Sequence, residues 1–339
     1  MFWRLLLVVI ALGVSTIVFS FAYPLTPGTG ARIKNSQQYP NDITVGWVGD
    51  MVPSLDATYN HTVLSFVSPA LAEPDLMIGN LEGTFANEDR GSKCIYLLSR
   101  CHAFRGDPSF ASALKTSGFD FVSLVNNHSY DYGDMGLKDT TAVLDAVGIP
   151  YISPDKPTAS IIVKGKRIGI LGLSSTKPMR TITDYDFIKE RVAQLKQEHD
   201  FVIVIFHGGN EGSDKTAVPG VNEYMGTEDR GNVQLVAYTA IDAGADLVLG
   251  SGPHVLRKIE TYKGKKVAYS LGNFVGGNGR LITSGTLGLS GIFTTPLSDR
   301  FAYDHAPSHT FTSVILTQNG TPTLDPLERG KQLIEQLSQ

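Results

Sequence analysis

Six apolar runs in this chain end in side chains that bind divalent ions or move protons. Asp50 closes "ITVGWVGD", Asn80 and Glu82 lie at the end of "DLMIGNLEG", and Asn126, Asn127 and His128 close "FDFVSLVNNH". His207 closes "DFVIVIFH", His254 follows "ADLVLGSGP", and Asn273 ends "KVAYSLGN". Carboxylate, amide oxygen and imidazole together form a donor set suited to a divalent ion with mixed oxygen and nitrogen ligands. Asn127 offers an amide oxygen. His128 beside it is free to act as an acid or to bind an oxyanion, and Asp131 is placed to orient it and raise its pKa. The same "NNHSYDYG" also reads as a cap for the helix that follows Gly133. His207 sits on the glycine turn "HGGNEG", which permits close approach to a cofactor. Glu211, four residues on, reads as a general base, an outer partner or a solvated residue. Any one of these alone is an ordinary cap or turn residue, so the reading rests on their recurrence at successive strand ends.

The elements that must position them follow from the hydrophobic rhythm. From Ile43 onward, short β-branched runs alternate with helical patterns, which predicts an α/β layered domain with buried sheets. Ligands in such sheets bind beyond the carboxyl ends of the strands, where the polar residues fall. "KGKR" at 164–167 and "YKGKK" at 262–266 read as tight hairpins, so the sheets are expected to be mixed. Gly148 and Gly244 sit where helix C-caps are expected. An "NG" hairpin and a terminal helix close the chain.

The 339 residues are 42% hydrophobic and 18% charged, enough for a sizeable core. The net charge of −4, without a basic block, excludes nucleic acid as a natural partner. Residues 5–22 carry no charge and as a helix would span roughly 27 Å, close to a bilayer's apolar core. Two readings stay open: an uncleaved signal anchor in the cell membrane, or a signal peptide cut after "SFA" and a secreted product. Either places the body outside the cytoplasm. The expected organisation is a membrane segment at 1–22, a Pro- and Gly-rich linker at 23–42, one domain at 43–325 and a C-terminal helix or tail at 326–339. Cys94 and Cys101 are the only cysteines, and in an oxidising compartment they are expected to form a local disulfide.

The motifs "VGD" (48–50), "NLEG" (80–83), "NNHSYDYG" (126–133), "HGGNEG" (207–212), "GADLVLGSGPHVLRKIE" (244–260) and "YSLGNF" (269–274) resemble, in order and spacing, those of the CapA family. These are bacterial capsule-synthesis proteins linked to poly-γ-glutamate, with a fold related to the calcineurin-like metallophosphatases. The resemblance implies a β-sandwich of two mixed sheets flanked by helices. It implies one metal position served by Asp50, Glu82 and His254, and another by Asn127 and His207, with Glu82 between them. His128 would stand near the leaving group, with Asp131 and Glu211 as further acid/base candidates. Asn80, Asn126, Arg257 and Asn273 are the substrate-binding candidates. Arg230, Lys258 and Arg280 also follow the motifs as possible receivers of carboxylates.

The sequence departs from the family pattern at two places. Met51 and Val52 follow Asp50, where metallophosphatases have Asp-x-His. Ser251 stands where the family's glycine–histidine turn has a histidine, which puts a second ion in doubt. The implied cofactor is one or two ions of Mn, Fe or Zn. The implied partners are an anionic envelope polymer or its precursor, the membrane, and membrane-embedded synthase subunits. Three functions fit: a metal-dependent hydrolase or transferase at an amide or phosphoester, a non-catalytic polymer-binding scaffold, and a peptide acid/base enzyme acting at an α-carbon.

Overall fold

The structure, a computed structural model, describes residues 42–88, 90–94, 101–176, 181–298 and 308–339. The apolar run at 5–22 and the linker, Asp42 apart, lie outside the described residues. Among the described residues no helix is long and apolar enough to cross a membrane.

In chain order the elements are β1 (Ile43–Val52), α1 (Ala57–Thr62), α2 (Ser68–Leu71), β2 (Leu76–Leu81), α3 (Ser109–Ser117), β3 (Phe121–Ser123), α4 (Gly133–Val147), β4 (Tyr151–Ile152), β5 (Thr158–Val163), β6 (Lys166–Ser174), α5 (Tyr185–Glu198) and β7 (Phe201–His207). There follow β8 (Glu223–Met225), β9 (Glu228–Gly231), α6 (Val233–Asp242), β10 (Leu247–Ser251), β11 (Ile259–Tyr262), β12 (Lys265–Ala268), β13 (Asn273–Gly276), β14 (Leu289–Leu297), β15 (Thr310–Leu316), β16 (Pro322–Leu324) and α7 (Arg329–Leu337).

Two mixed sheets result. One runs β16-β15-β14-β1-β2-β3-β4, with β13 added beside the end of β1; the other runs β11-β12-β10-β7-β6-β5. Strands β1 to β4 are parallel, as are β6, β7, β10 and β12. The two expected hairpins pair β5 with β6 and β11 with β12, both antiparallel. The sheets face each other across one core containing Trp47, Ile78, Phe121, Ile170, Ile203 and Leu249. Helices α1 to α4 cover the outer face of the first sheet, and α5 and α6 that of the second. The α/β reading with two mixed sheets holds. "SLDATYNHTVLSFVSPALAE", expected as one helix, is two short ones, because Pro69 starts a new helix at its first turn.

The end of β1 is irregular for a reason. The pairing of β1 with both β2 and β13 shifts register around Asp50. A side chain on Gly49 would lie 1.9 Å from the Gly272 carbonyl oxygen, and that same oxygen accepts the Asp50 N–H at 2.9 Å. Glycine at 49 therefore lets the "SLGN" turn close on β1, and the resulting bulge re-aims Asp50.

Cys94 and Cys101 are disulfide-bonded, with a Cα–Cα distance of 5.5 Å. Closing a loop this short stabilises the fold by about 2 kcal/mol in the chain-entropy picture. The double Cys94→Ala, Cys101→Ala variant should lose about that much in urea unfolding; an unchanged midpoint would disprove it.

Candidate metal centre

The strand ends converge as their placement in the sequence requires. Asp50, Glu82 and His254 bring ligand atoms within 4.8 Å of one another. Glu82 is the hub. Its Oε1 lies 3.7 Å from His128 Nε2, 3.8 Å from His207 Nε2 and 3.8 Å from His254 Nε2. Asp50 Oδ2 is 3.2 Å from His254 Nδ1, and Asp50 Oδ1 is 4.0 Å from His207 Nδ1. Ligand bonds of roughly 2.0–2.2 Å set neighbouring donors about 3–4 Å apart, so the spans from Glu82 to the imidazole Nε2 atoms fit a shared cation.

The unsatisfied atoms make the same point. Both Glu82 oxygens, His207 Nε2 and Asn127 Oδ1 are buried without a hydrogen-bond partner. Buried polar atoms are almost always paired, and several metal-type donors left unpaired at this edge of the sheets are what a cation site would show. The donor set fits a divalent ion. The Asp50–Glu82–His254 group stands on direct geometry. Glu82, His207 and Asn127 carry unpaired buried atoms, the residues that the family resemblance implies for a second position.

Each donor is held from behind. His254 Nδ1 donates to Asn273 Oδ1 at 2.8 Å, which turns Nε2 toward Glu82 and Glu211. His254 itself has φ +60°, unusual for a non-glycine residue, and follows Gly252, whose N–H reaches Asp50 Oδ2 at 3.3 Å. Ser251 Oγ lies 3.0 Å from His207 Nδ1 and donates to the Phe206 carbonyl at 3.4 Å. Its oxygen thus accepts the hydrogen bond of His207 Nδ1–H and leaves the Nε2 lone pair free to ligate. In place of the expected imidazole, Ser251 orients a ligand. Asn80 Nδ2 donates to Asp50 Oδ1 at 2.7 Å, and Asn126 Nδ2 to Asn80 Oδ1 at 3.0 Å and to the Leu81 carbonyl at 2.9 Å.

The acid/base candidates are also assembled. His128 Nδ1 is 2.7 Å from Asp131 Oδ2, as anticipated. Two residues beside the disulfide complete the arrangement, and no sequence pattern had marked them. Lys93 Nζ pairs with Asp131 Oδ1 at 2.5 Å. The Phe104 N–H donates to Asp131 Oδ2 at 2.5 Å, and its ring stacks on His128 at 4.3 Å. Glu211 Oε2 is 3.8 Å from His254 Nε2, and Arg230 Nη2 holds Glu211 Oε1 at 3.0 Å.

The substrate-binding expectations need correction. Asn80, Asn126, Asn273 and Arg257 are each at most 3% exposed. Asn80 and Asn273 carry the bonds to Asp50 and His254 just given, and Asn126 braces Asn80. Arg257 binds Glu223 through both Nη atoms, at 2.8 and 2.7 Å, and the Lys215 carbonyl through Nε. A guanidinium so occupied clamps the β8 strand to the site loop and has no free face for a substrate. Arg230 is buried on Glu211 and Glu228, and Lys258 pairs with Glu260.

The electrostatics suit cation binding. Burial raises the Glu82 pKa well above the usual carboxylate range, and the Asp50 charge adds to it. Burial also tends to raise Asp50, but its hydrogen bond and charge interaction with His254, followed by His207 and Asn80, keep it below the ordinary value. Burial holds His207 well below its ordinary pKa, against the pull of Asp50. Burial likewise lowers His128, against Asp131. Burial would lower His254 too, but Glu82, Asp50 and Glu211 outweigh it and push it up to about 10. Asp50 is therefore ionised and His207 neutral at pH 7. Glu82 and His254 share retained protons that a cation would replace.

The family profile described as "Bacterial capsule synthesis protein PGA_cap" matches residues 33–278. The capsule biosynthesis protein CapA of Bacillus anthracis is 28% identical over 238 residues, covering 63% of this chain and 53% of that protein. The chain thus spans about half the length of that relative. The PGA biosynthesis protein CapA of Bacillus subtilis strain 168 is 26% identical over 286 residues, covering 76% of this chain and 70% of that one. The crystal structure of a phosphatase from Mycoplasma pneumoniae aligns with TM-score 0.50 at 15% identity, over 81% of this chain and 94% of the phosphatase, which shows a common fold. With the profile spanning most of the body and the strand-end motifs assembled as one centre, the chain belongs to the PGA_cap family of bacterial capsule synthesis proteins.

Proposed function

We propose that the chain is a metal-dependent hydrolase or transferase that processes an anionic capsular polymer, poly-γ-glutamate or its precursor, outside the cytoplasm. The observation that carries this reading is the Glu82 carboxylate, buried with neither oxygen paired and with three imidazole nitrogens within 3.8 Å. Asp50, Glu82 and His254 would hold one ion of Mn, Fe or Zn, and Glu82, His207 and Asn127 a second. A bound ion supplies Lewis acidity to the scissile group. Neutral His128, fixed by Asp131 and with Nε2 3.7 Å from Glu82, is placed to take the proton of the attacking nucleophile at Nε2 and pass it to the leaving group. Glu211, held by Arg230, is placed to take a proton on the His254 side. The polymer assignment draws on the capsule and PGA biosynthesis relatives. Anchoring in the cell membrane beside synthase subunits draws on the uncharged run at 5–22.

Metal content tests the reading. The full chain, loaded and desalted, should carry Mn, Fe or Zn by mass spectrometry, and Asp50→Asn and His254→Ala should lose at least tenfold in affinity. A wild type that retains no ion under metal-replete conditions would sink the reading. Lys93→Met should keep its ion but lose about tenfold or more in kcat on a phosphodiester or γ-glutamyl substrate, because Asp131 loses its counter-charge. Recovery with Lys93→Arg would identify charge as the cause, and an unchanged kcat would remove Lys93 from the mechanism.

A second reading, a polymer-binding scaffold without catalysis, is favoured by Ser251 alone. It predicts polymer binding with no turnover in the metal-loaded protein.

A further inference from the structure

Of the cations that follow the site motifs, Arg230, Arg257 and Lys258 are occupied by carboxylates. Arg280 differs. It is half-buried, and its Nη1 donates to the Arg105 carbonyl at 2.6 Å. Among the described residues no carboxylate pairs with it. Arg105, its neighbour, has a side chain 19% exposed, and among the described residues its one acidic contact is Glu88, 3.8 Å away and 95% exposed. The Arg105 guanidinium lies over the Tyr132 ring, 5.9 Å from the centroid. Burial lowers the Arg280 pKa, Tyr132 opposes it, and Arg105 adds a smaller lowering. The Arg280 guanidinium, held on the Arg105 main chain, and the Arg105 guanidinium, with one exposed, distant carboxylate, form a local excess of positive charge. Such a pair is stabilised by a shared oxyanion, which guanidinium donors recognise in a bidentate manner.

The fold places this pair beside the metal centre. Phe104, which precedes Arg105, stacks on His128. Arg105 bridges Thr84, two residues beyond Glu82. The Arg280 N–H donates to the Gly276 carbonyl at 3.1 Å, and Gly276 pairs with Val52, two residues beyond Asp50. Gly277 keeps the turn open: a side chain there would meet Arg280 Cδ at 3.2 Å.

We infer that Arg105 and Arg280 form an oxyanion subsite on the His128 side of the metal centre, which takes a carboxylate or phosphate group carried by the substrate. The inference rests on the reading of the centre as a substrate site. The test is calorimetric titration of the metal-loaded full chain with oligo-γ-glutamate in one arm and inorganic phosphate in the other. Arg105→Gln and Arg280→Gln should each weaken binding at least tenfold, with bound metal and melting temperature close to wild type. Arg280→Lys should recover part of the affinity. The arm that shows the arginine dependence identifies the source of the oxyanion. No binding of either probe by the wild type, or equal binding by wild type and both glutamine variants, overturns the subsite. Failure of the metal reading is distinguishable, because it appears as a wild type without bound ion.

Discussion

Glu82→Gln is expected to raise the melting temperature of the metal-free protein while abolishing its stabilisation by metal. Glu82 is fully buried, neither of its oxygens has a hydrogen-bond partner, and Asp50 and Glu211 repel its charge. A buried unsatisfied polar group costs about 1–3 kcal/mol, more when charged. The sign with pH follows from the raised carboxyl. Protonated Glu82 contributes stability that is complete below the unfolded-state pKa and is lost as pH rises through the higher folded-state value. The advantage of glutamine should therefore grow from pH 5 to pH 8. Metal at 100 times its dissociation constant stabilises the wild type by about 2.7 kcal/mol, a gain the variant should lack. Differential scanning calorimetry with and without chelator measures both effects. A metal-free variant less stable than wild type at pH 8, or one that metal still stabilises, contradicts the assignment of Glu82 as the central ligand.

Metal binding is also expected to release protons and to strengthen steeply with pH. The carboxylates around His254 push its pKa up to about 10, so at neutral pH the metal-free imidazole is protonated. Glu82 is raised as well, by burial first and then by Asp50. An ion must displace whatever protons this pair holds, and each one displaced weakens binding about tenfold per unit fall in pH. Titration calorimetry in buffers of different ionisation enthalpy should report about one to two protons released per ion. Affinity independent of pH between 6 and 8 would show that the pair does not face the ion.

Some of this was legible without coordinates because it is local. Period-two and buried apolar runs place the strands, Gly148 ends α4 in the left-handed conformation, and the two lysine–glycine turns make hairpins. A polar residue at the end of a parallel strand is carried to the ligand-binding edge by topology alone. Asp50, Glu82, His207 and His254 could therefore be named from their positions, as could the His128–Asp131 pair from its spacing.

What the chain order could not show is direction and partnership. Asn80, Asn126 and Asn273 lie at the ligand edge of the sheet, yet Asn80 and Asn273 bond Asp50 and His254, and Asn126 bonds Asn80. Arg257, three residues from His254, points away to Glu223. Ser251 looked like a missing ligand, whereas the packing of β7 against β10 makes it the residue that orients His207. Lys93 and Phe104 reach Asp131 across 38 and 27 positions of chain, and Arg105 meets Arg280 across 175. The sequence by itself determined which side chains reach the edge of the sheets, because strand period and topology are written locally. Only the tertiary structure decided which of them converge as candidate ligands, which brace those residues and which charges are left without a partner. Those outcomes depend on contacts between segments far apart in the chain and on how much water the fold removes from each group.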